Sequence, residues 1–189
     1  MKISLSKILK EATETIKEKV LWENKWFKIV EKTDKDGAQM SGIQPLLGNV
    51  VVVPYVKEGD KITKVGVMNE VNPLWGEGTH VTTITGGVEE GEDNLEAAKR
   101  ELKEESGYNV EDSDKWQFIC EAKVSKIVDG VQPCFVVDVT GLEIGEASKD
   151  GTINEELSSF ELMDIEDAIY KCKDAYIPMM IYKLENEYF

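Results

Sequence analysis

The chain has 189 residues, enough for one domain with a sizeable core or for one domain with a short arm. Apolar residues make up 41 % and charged residues 31 %, the balance of a globular soluble protein. A formal charge of −15 excludes broad binding to nucleic-acid phosphates or to an anionic membrane surface, and fits solubility, cation binding, or a substrate whose charge is masked by metal.

Leu5, Ile8, Leu9, Ala12 and Ile16 recur at helical spacing, so residues 4–19 are expected to form an amphipathic helix. That helix would be an arm, residues 1–20, ahead of a domain spanning 21–189, packed on the core or on the partner in a homodimer. The opening lacks the apolar core of a signal peptide and is too acidic for a transit peptide, and no run of about 18 apolar residues follows. A cytoplasmic protein is expected, with Cys120, Cys134 and Cys172 reduced.

"VLWENKWFKIVEK" has strand composition and "DKDGAQMSG" reads as a loop. "NVVVVPYV" is a buried strand, "KEGDK" a turn and "ITKVGVM" its hairpin partner. "NPLWGEGTH" is a loop by its Pro and Gly, and "VTTIT" a short strand. "WQFICEAKV" alternates Phe118, Cys120, Ala122 and Val124 against polar residues, as a half-buried strand does. "CFVVDV" is a more buried strand after the "VDG" turn. "GLEIGEASKDGTINEE" is an acidic loop and "SSFELM" the last strand. Asp164 then caps a helix with Ile165, Ala168, Ile169 and Cys172 on one face, and Pro178 opens a final helical turn. Strands around one internal helix, with helices at both ends, make a single mixed α+β domain.

The internal helix is the most informative element. Asp93 is its N-cap, Glu96 stands three residues on as in a capping box, Leu95, Ala98 and Leu102 form a buried stripe, and Gly107 supplies a left-handed stop. These signals place the helix at about Asn94 to Ser106. At ~100° per residue, Glu101, Glu104 and Glu105 fall within one arc beside that stripe. They lie in the half of the helix where the dipole disfavours negative charge, and like charges at i,i+4 cost a few tenths of a kcal/mol. Two readings stand side by side: a solvated face paired with Lys99, Arg100 and Lys103, or a seat for a hard cation such as Mg²⁺. Arg100 can fork onto a carboxylate and fix its direction, with Glu92 a partner. At Gly86 and Gly87 the missing side chains would let backbone approach an ion.

The spacing runs Gly86, five residues, Glu92, seven residues, Arg100-Glu101-Leu102, one residue, Glu104-Glu105, one residue, Gly107-Tyr108. It resembles the box of the Nudix hydrolase superfamily at every fixed position. The resemblance implies an α/β/α sandwich with a mixed sheet and a strand–loop–helix catalytic element. It implies hydrolysis, dependent on Mg²⁺ or Mn²⁺, of a nucleoside diphosphate linked to another moiety. Glu101, Glu104 and Glu105 would be metal ligands, joined by the backbone carbonyl of Thr85, and Arg100 and Glu92 would orient them. The order of "LWENKWFKIVEK", "VVVVPYV", "TGGVEEGE" and "EESGY" is similar to the ADP-ribose pyrophosphatase branch.

Two features depart from that branch. Its Arg-bearing segment after the hairpin is replaced by Asn69, Glu70 and Asn72, and its marker proline beyond the box is absent. The substrate expected first is ADP-ribose or a related nucleotide sugar. The alternatives are a nucleoside triphosphate or dinucleoside polyphosphate, a nucleotide sensor without turnover, and an interaction protein using its acidic surface. Glu156 and then Glu155, in the loop before the last strand, are candidates for a general base, against the plain reading of two solvated acids. Trp22, Trp26 and Trp75 are candidates for stacking on a base, against core or interface packing. His80 reads as a loop or strand-edge residue.

Overall fold

The computed structural model describes residues 16–123, 125–148 and 156–187, and they fall into two compact units. The smaller holds residues 16–48 and the segment around 125–131. Its strands β1 (Lys17–Glu23), β2 (Phe27–Thr33) and β3 (Gln39–Pro45) form an antiparallel meander. Each turn is closed by an acceptor side chain. Asn24 Oδ1 accepts from the amides of Trp26 and Phe27 at 2.8 and 2.9 Å, and Asp34 Oδ1 from those of Asp36 and Ala38, both at 2.9 Å.

This unit corrects the sequence reading in two places. Residues 4–15 of the expected helix lie outside the described residues, but its last residues, Lys17–Lys19, are strand, paired with Glu31–Thr33. Residues 39–42, read as loop, are strand as well, because β2 offers them a ladder from Thr33↔Gln39 to Phe27↔Pro45. Neither stretch has strong strand propensity; cross-strand pairing supplies what propensity does not. Gly42 is needed in β3, since a Cβ there would lie 2.6 Å from the carbonyl oxygen of Ile127.

The larger unit, residues 49–122 and 132–187 among those described, is built on a seven-stranded mixed sheet. Its strands are β4 (Asn49–Glu58), β5 (Lys61–Val71), β6 (Thr79–Thr82), β7 (Ile84–Gly87), β8 (Trp116–Ala122), β9 (Gln132–Asp138) and β10 (Ser159–Asp164). The main path runs β10-β5-β4-β9-β8, with β4 and β9 parallel and the other neighbours antiparallel. The helices are α1 (Asn94–Ser106), α2 (Ile165–Lys171) and α3 (Tyr176–Glu187).

The valine run of β4 shows how the layers form. Val50 and Val52 join Ile84, Leu102, Tyr108, Trp116 and Phe135 under α1. Val51 and Val53 join Val65, Val67, Ala168, Ile177 and Met180 under α2 and α3. Alternate residues of one strand therefore feed two cores, as a sheet covered on both faces requires. The result is the expected α/β/α sandwich.

β4 and β5 pair only from Tyr55–Glu58 to Lys61–Val65 and then part. The gap is filled by β6 against β5 and β7 against β4. Residues 81–85, read as one strand, are thus split at Thr83. The amide and hydroxyl of buried Thr83 donate to Asp174 at 2.7 and 2.8 Å, and Asp174 also accepts from the amide of Tyr176 at the start of α3. In β8 a bulge between Phe118 and Cys120 turns Ile119 inward and leaves Phe118 49 % exposed, so the expected alternation fails there. Ile169 faces outward on α2, where Ala168 is the buried residue. The three cysteines are free, and among the described residues no helix is long and apolar enough to cross a membrane.

Candidate active site

α1 begins and ends where its cap residues dictate. Asp93 accepts from the amide of Leu95 at 2.9 Å, and Gly107, at φ 80°, donates its amide to Lys103. Glu96 is engaged by Lys99 Nζ at 2.9 Å. Ala97, Ala98 and Leu102 are buried against the sheet, which turns the next face of the helix, with Glu101, toward the end of β7.

Glu101 is only 9 % exposed, and its carboxyl group occupies the space over Gly86. A Cβ at Gly86 would fall 1.7 Å from Glu101 Cδ, so this glycine is a steric requirement. The sequence reading gave the glycines to an approaching ion; in the fold Gly86 accommodates Glu101 and the carbonyl of Gly87 serves Arg100.

Arg100 is the hub. Nε and Nη2 donate to the two oxygens of Glu92, each at 3.0 Å, in a bidentate fork. Nη1 donates to Glu101 Oε1 at 2.7 Å and to Glu104 Oε2 at 3.0 Å, and Nη2 to the Gly87 carbonyl at 2.7 Å. Glu92 is fixed further by accepting from the amide of Glu89 at 2.9 Å. One guanidinium thus ties Glu92 and the loop after β7 to Glu101 and Glu104 on the helix.

Glu92 and Glu101, two of the carboxylates on this hub, differ electrostatically. The Arg100 fork holds Glu92 below its ordinary value, whereas burial pushes Glu101 up despite Arg100. Arg100 itself is raised, chiefly by its bond to Glu92. Beside the hub lies a polar cleft of about 380 Å³ lined by Glu92, Lys99, Arg100, Lys103, Glu104 and others.

The remaining candidates are placed as follows. Glu104 and Glu105 are half-buried on α1, with Glu105 Oε2 buried, and Thr85 sits in β7 opposite Val51, one residue before Gly86. Glu156 is exposed in the connection to β10, and Glu155 lies outside the described residues. Trp22 and Trp26 belong to the smaller unit, Trp22 against Phe27 with ring centroids 5.6 Å apart and Trp26 beneath Lys25 Nζ at 4.4 Å. Trp75 lies in the loop between β5 and β6, its ring 5.8 Å from that of His80. The sequence reading missed a polar group beside that loop, buried Thr82 with half-buried Glu70 and His80, because only strand register brings the three together.

Among the described residues no three His, Cys, Asp or Glu side chains stand in a ready metal-binding arrangement. Glu101 and Glu104 are turned to Arg100 instead. The donors nonetheless fit a hard divalent cation. They are all carboxylate oxygens, Glu101 is desolvated in a seat that only glycine permits, and Glu105 presents a buried oxygen. A cation would relieve the burial that makes the charged form of Glu101 costly.

A family model described as "NUDIX domain" matches residues 48–180. No curated protein matches the chain. Among solved structures, an ADP compounds hydrolase shares the fold with TM-score 0.65 and 16 % identity, over 92 % of each chain. An Ap4A hydrolase of C. elegans, in a binary complex, aligns with TM-score 0.52 and 21 % identity over 74 % of this chain and 96 % of its own.

Proposed function

The chain belongs to the NUDIX family, as a Nudix pyrophosphohydrolase, and from that premise we propose that it cleaves the pyrophosphate of a nucleoside diphosphate linked to a second moiety, with ADP-ribose or a related nucleotide sugar as the first substrate. The observation that carries this reading is the Arg100 hub. The complete box is folded so that one guanidinium, five hydrogen bonds and a glycine-only seat hold Glu92, Glu101 and Glu104 together. The solved ADP compounds hydrolase of the same fold is in keeping with the substrate class.

Glu101, Glu104 and Glu105, with the Thr85 carbonyl, are the residues that would hold Mg²⁺ or Mn²⁺. A bound divalent ion would neutralise pyrophosphate charge, lower the pKa of an attacking water and stabilise the leaving phosphate. Arg100 and Glu92 set the direction of the glutamates. Burial raises the Glu101 carboxyl, so a bound cation would favour its charged form, and the basic edge of the cleft, Lys99 and Lys103, offers charge to phosphate oxygens. Glu156 and Glu155 are the acids assigned to proton abstraction, and Trp22, Trp26 and Trp75 to contacts with the base. The exposed apolar residues of β1 and β3, Val20, Leu21, Trp22 and Met40 among them, support a homodimer. The protein is assigned to the cytoplasm.

A nucleoside triphosphate or dinucleoside polyphosphate is the alternative substrate, and a sensing domain without turnover the alternative function. The decisive experiment incubates the chain with a nucleotide panel and Mg²⁺ or Mn²⁺ and separates the products. AMP and ribose 5-phosphate from ADP-ribose are expected, and their loss in Glu105→Gln with the fold intact. Full turnover by that variant removes Glu105 from the site; binding of ADP-ribose without any product favours the sensor.

A further inference from the structure

We propose that Glu70, His80 and Thr82, beneath Trp75, form a seat for the vicinal diol of the nucleotide's ribose, an inference that rests on reading the chain as a nucleotide hydrolase. The register of β5 and β6 sets Glu70 opposite His80 and Met68 opposite Thr82. Met68 belongs to the core under α1, so Glu70, His80 and Thr82 share the face on which α1 lies. Ile84 and Gly86 lie on that face too, and Thr82 is at most ~13 Å of extended chain from Gly86. The cluster is therefore on the same side of the sheet as the Glu101 seat, within the reach of one nucleotide.

Its chemistry is unfinished. Thr82 is 4 % exposed, and its hydroxyl and His80 Nε2 are buried with no hydrogen-bond partner among the described residues. Buried polar atoms left so are costly, and a fold that keeps two on adjacent inward positions of one strand calls for a ligand or an ordered water to complete them. Glu70 is half-buried; burial pushes its carboxyl up, the neighbouring Thr82 hydroxyl offsets this in part, and Asp174 adds to the rise. Trp75 stands edge-on to the His80 ring, at 70° between planes.

The set is rich in acceptors and carries no cation. Asn69, Glu70 and Asn72 occupy the segment after the hairpin, so a phosphate is repelled here and a donor is wanted. A vicinal diol brings two O–H donors at the spacing of a carboxylate's two oxygens, and its own oxygens can accept from His80 and Thr82. A half-exposed indole beside it offers an apolar wall to the sugar and base.

His80 is the only histidine, so its ring gives one isolated set of NMR signals. The full chain is titrated with AMP and with 2′,3′-dideoxy-AMP. The expected result is that AMP moves the His80 signals and binds at least about tenfold more tightly than the dideoxy nucleotide, the loss expected for hydrogen bonds to a charged group. Glu70→Gln and Thr82→Val each narrow that ratio, with KM for a ribonucleotide substrate rising and kcat held. Equal affinity for the two nucleotides, or His80 signals unmoved by AMP, overturns the proposal and leaves the cluster to structural water. Wild-type turnover of ADP-ribose with silent His80 signals sinks the seat alone. Diol discrimination at His80 without turnover of any nucleotide retains the seat and sinks the hydrolase reading.

Discussion

The strand–loop–helix from Ile84 to Gly107 and the meander from Lys17 to Pro45 solve the same problem, fixing a segment in place, by opposite means. In the first, nearly every contact is specific. A glycine is shaped to the carboxyl group of Glu101, a guanidinium binds that group, two others and a carbonyl, and the helix is capped at both ends. In the second, backbone ladders and two Asx turns hold a sheet whose outer strands are largely exposed, Trp22 and Met40 among their side chains, with Trp26 in the first turn 60 % exposed. Specific contacts make a region intolerant of change; a ladder with open faces tolerates it. Substitutions in the two regions should therefore differ sharply in effect.

The largest effect is expected at Gly86. Gly86→Ala places a methyl group 1.7 Å from Glu101 Cδ, so Glu101 must leave its seat and Arg100 loses one partner. Displacement of this size lowers kcat by ~100-fold or more, and the overpacking costs ~1–3 kcal/mol in a urea titration. Gly87→Ala is the control, since nothing lies within 4 Å of a Cβ at Gly87. Similar losses in both variants would show that the glycine pair serves backbone conformation and not Glu101.

The same contrast governs what could be read from the chain in advance. α1 was legible to the residue because Asp93 and Gly107 act locally: one accepts from a nearby amide, the other adopts φ 80°. The valines of β4 were legible because burial on both faces leaves a continuous apolar run. Nothing local marks Lys17–Lys19 or Gln39–Gly42 as strand; they are ordered by β2, a partner that no window of sequence contains. The bulge that exposes Phe118 is likewise a property of the β8–β9 pair. In the site, spacing identified Glu92, Arg100, Glu101 and Glu104 as a group, but not that Arg100 would serve three carboxylates at once. The role of Gly86 as a mould for Glu101 needed the helix laid on the strand.

A second test separates the two carboxylates within the specific region. Glu92 is held below its ordinary value, so its contribution to stability is full above the unfolded pKa of ~4.3 and disappears as pH falls through the folded value. Glu101 is raised, so the fold favours its protonated form; that stability is present below ~4.3 and lost as pH rises through the folded value. Glu92→Gln should therefore melt below the wild type at pH 7, with the gap closing in acid. Glu101→Gln, a mimic of the protonated carboxyl, should melt above the wild type at pH 7 while losing activity, with its gap also closing in acid. Thermal melts from pH 3 to 8 read both; the same sign of shift at pH 7 for the two variants would refute the division between them.

The smallest effect belongs to the meander. Trp26 is 60 % exposed, and its ring meets Lys25 Nζ in a contact of the kind worth about 0.5–1 kcal/mol at an exposed site. Trp26→Ser should therefore shift the stability of a dilute, monomeric sample by no more than about 1 kcal/mol, and the β2–β3 ladder, which does not use the side chain, should persist in amide exchange. Concentration turns this into a sharper measurement. A homodimer that covers β1 and β3 would bury the exposed indole, and mass action would then raise the wild-type melting temperature with protein concentration while leaving the variant behind. A concentration-independent melt, with a single sedimenting species of monomer mass, would mean that the apolar side chains of this sheet remain open in solution, and that the homodimer is not how they are covered.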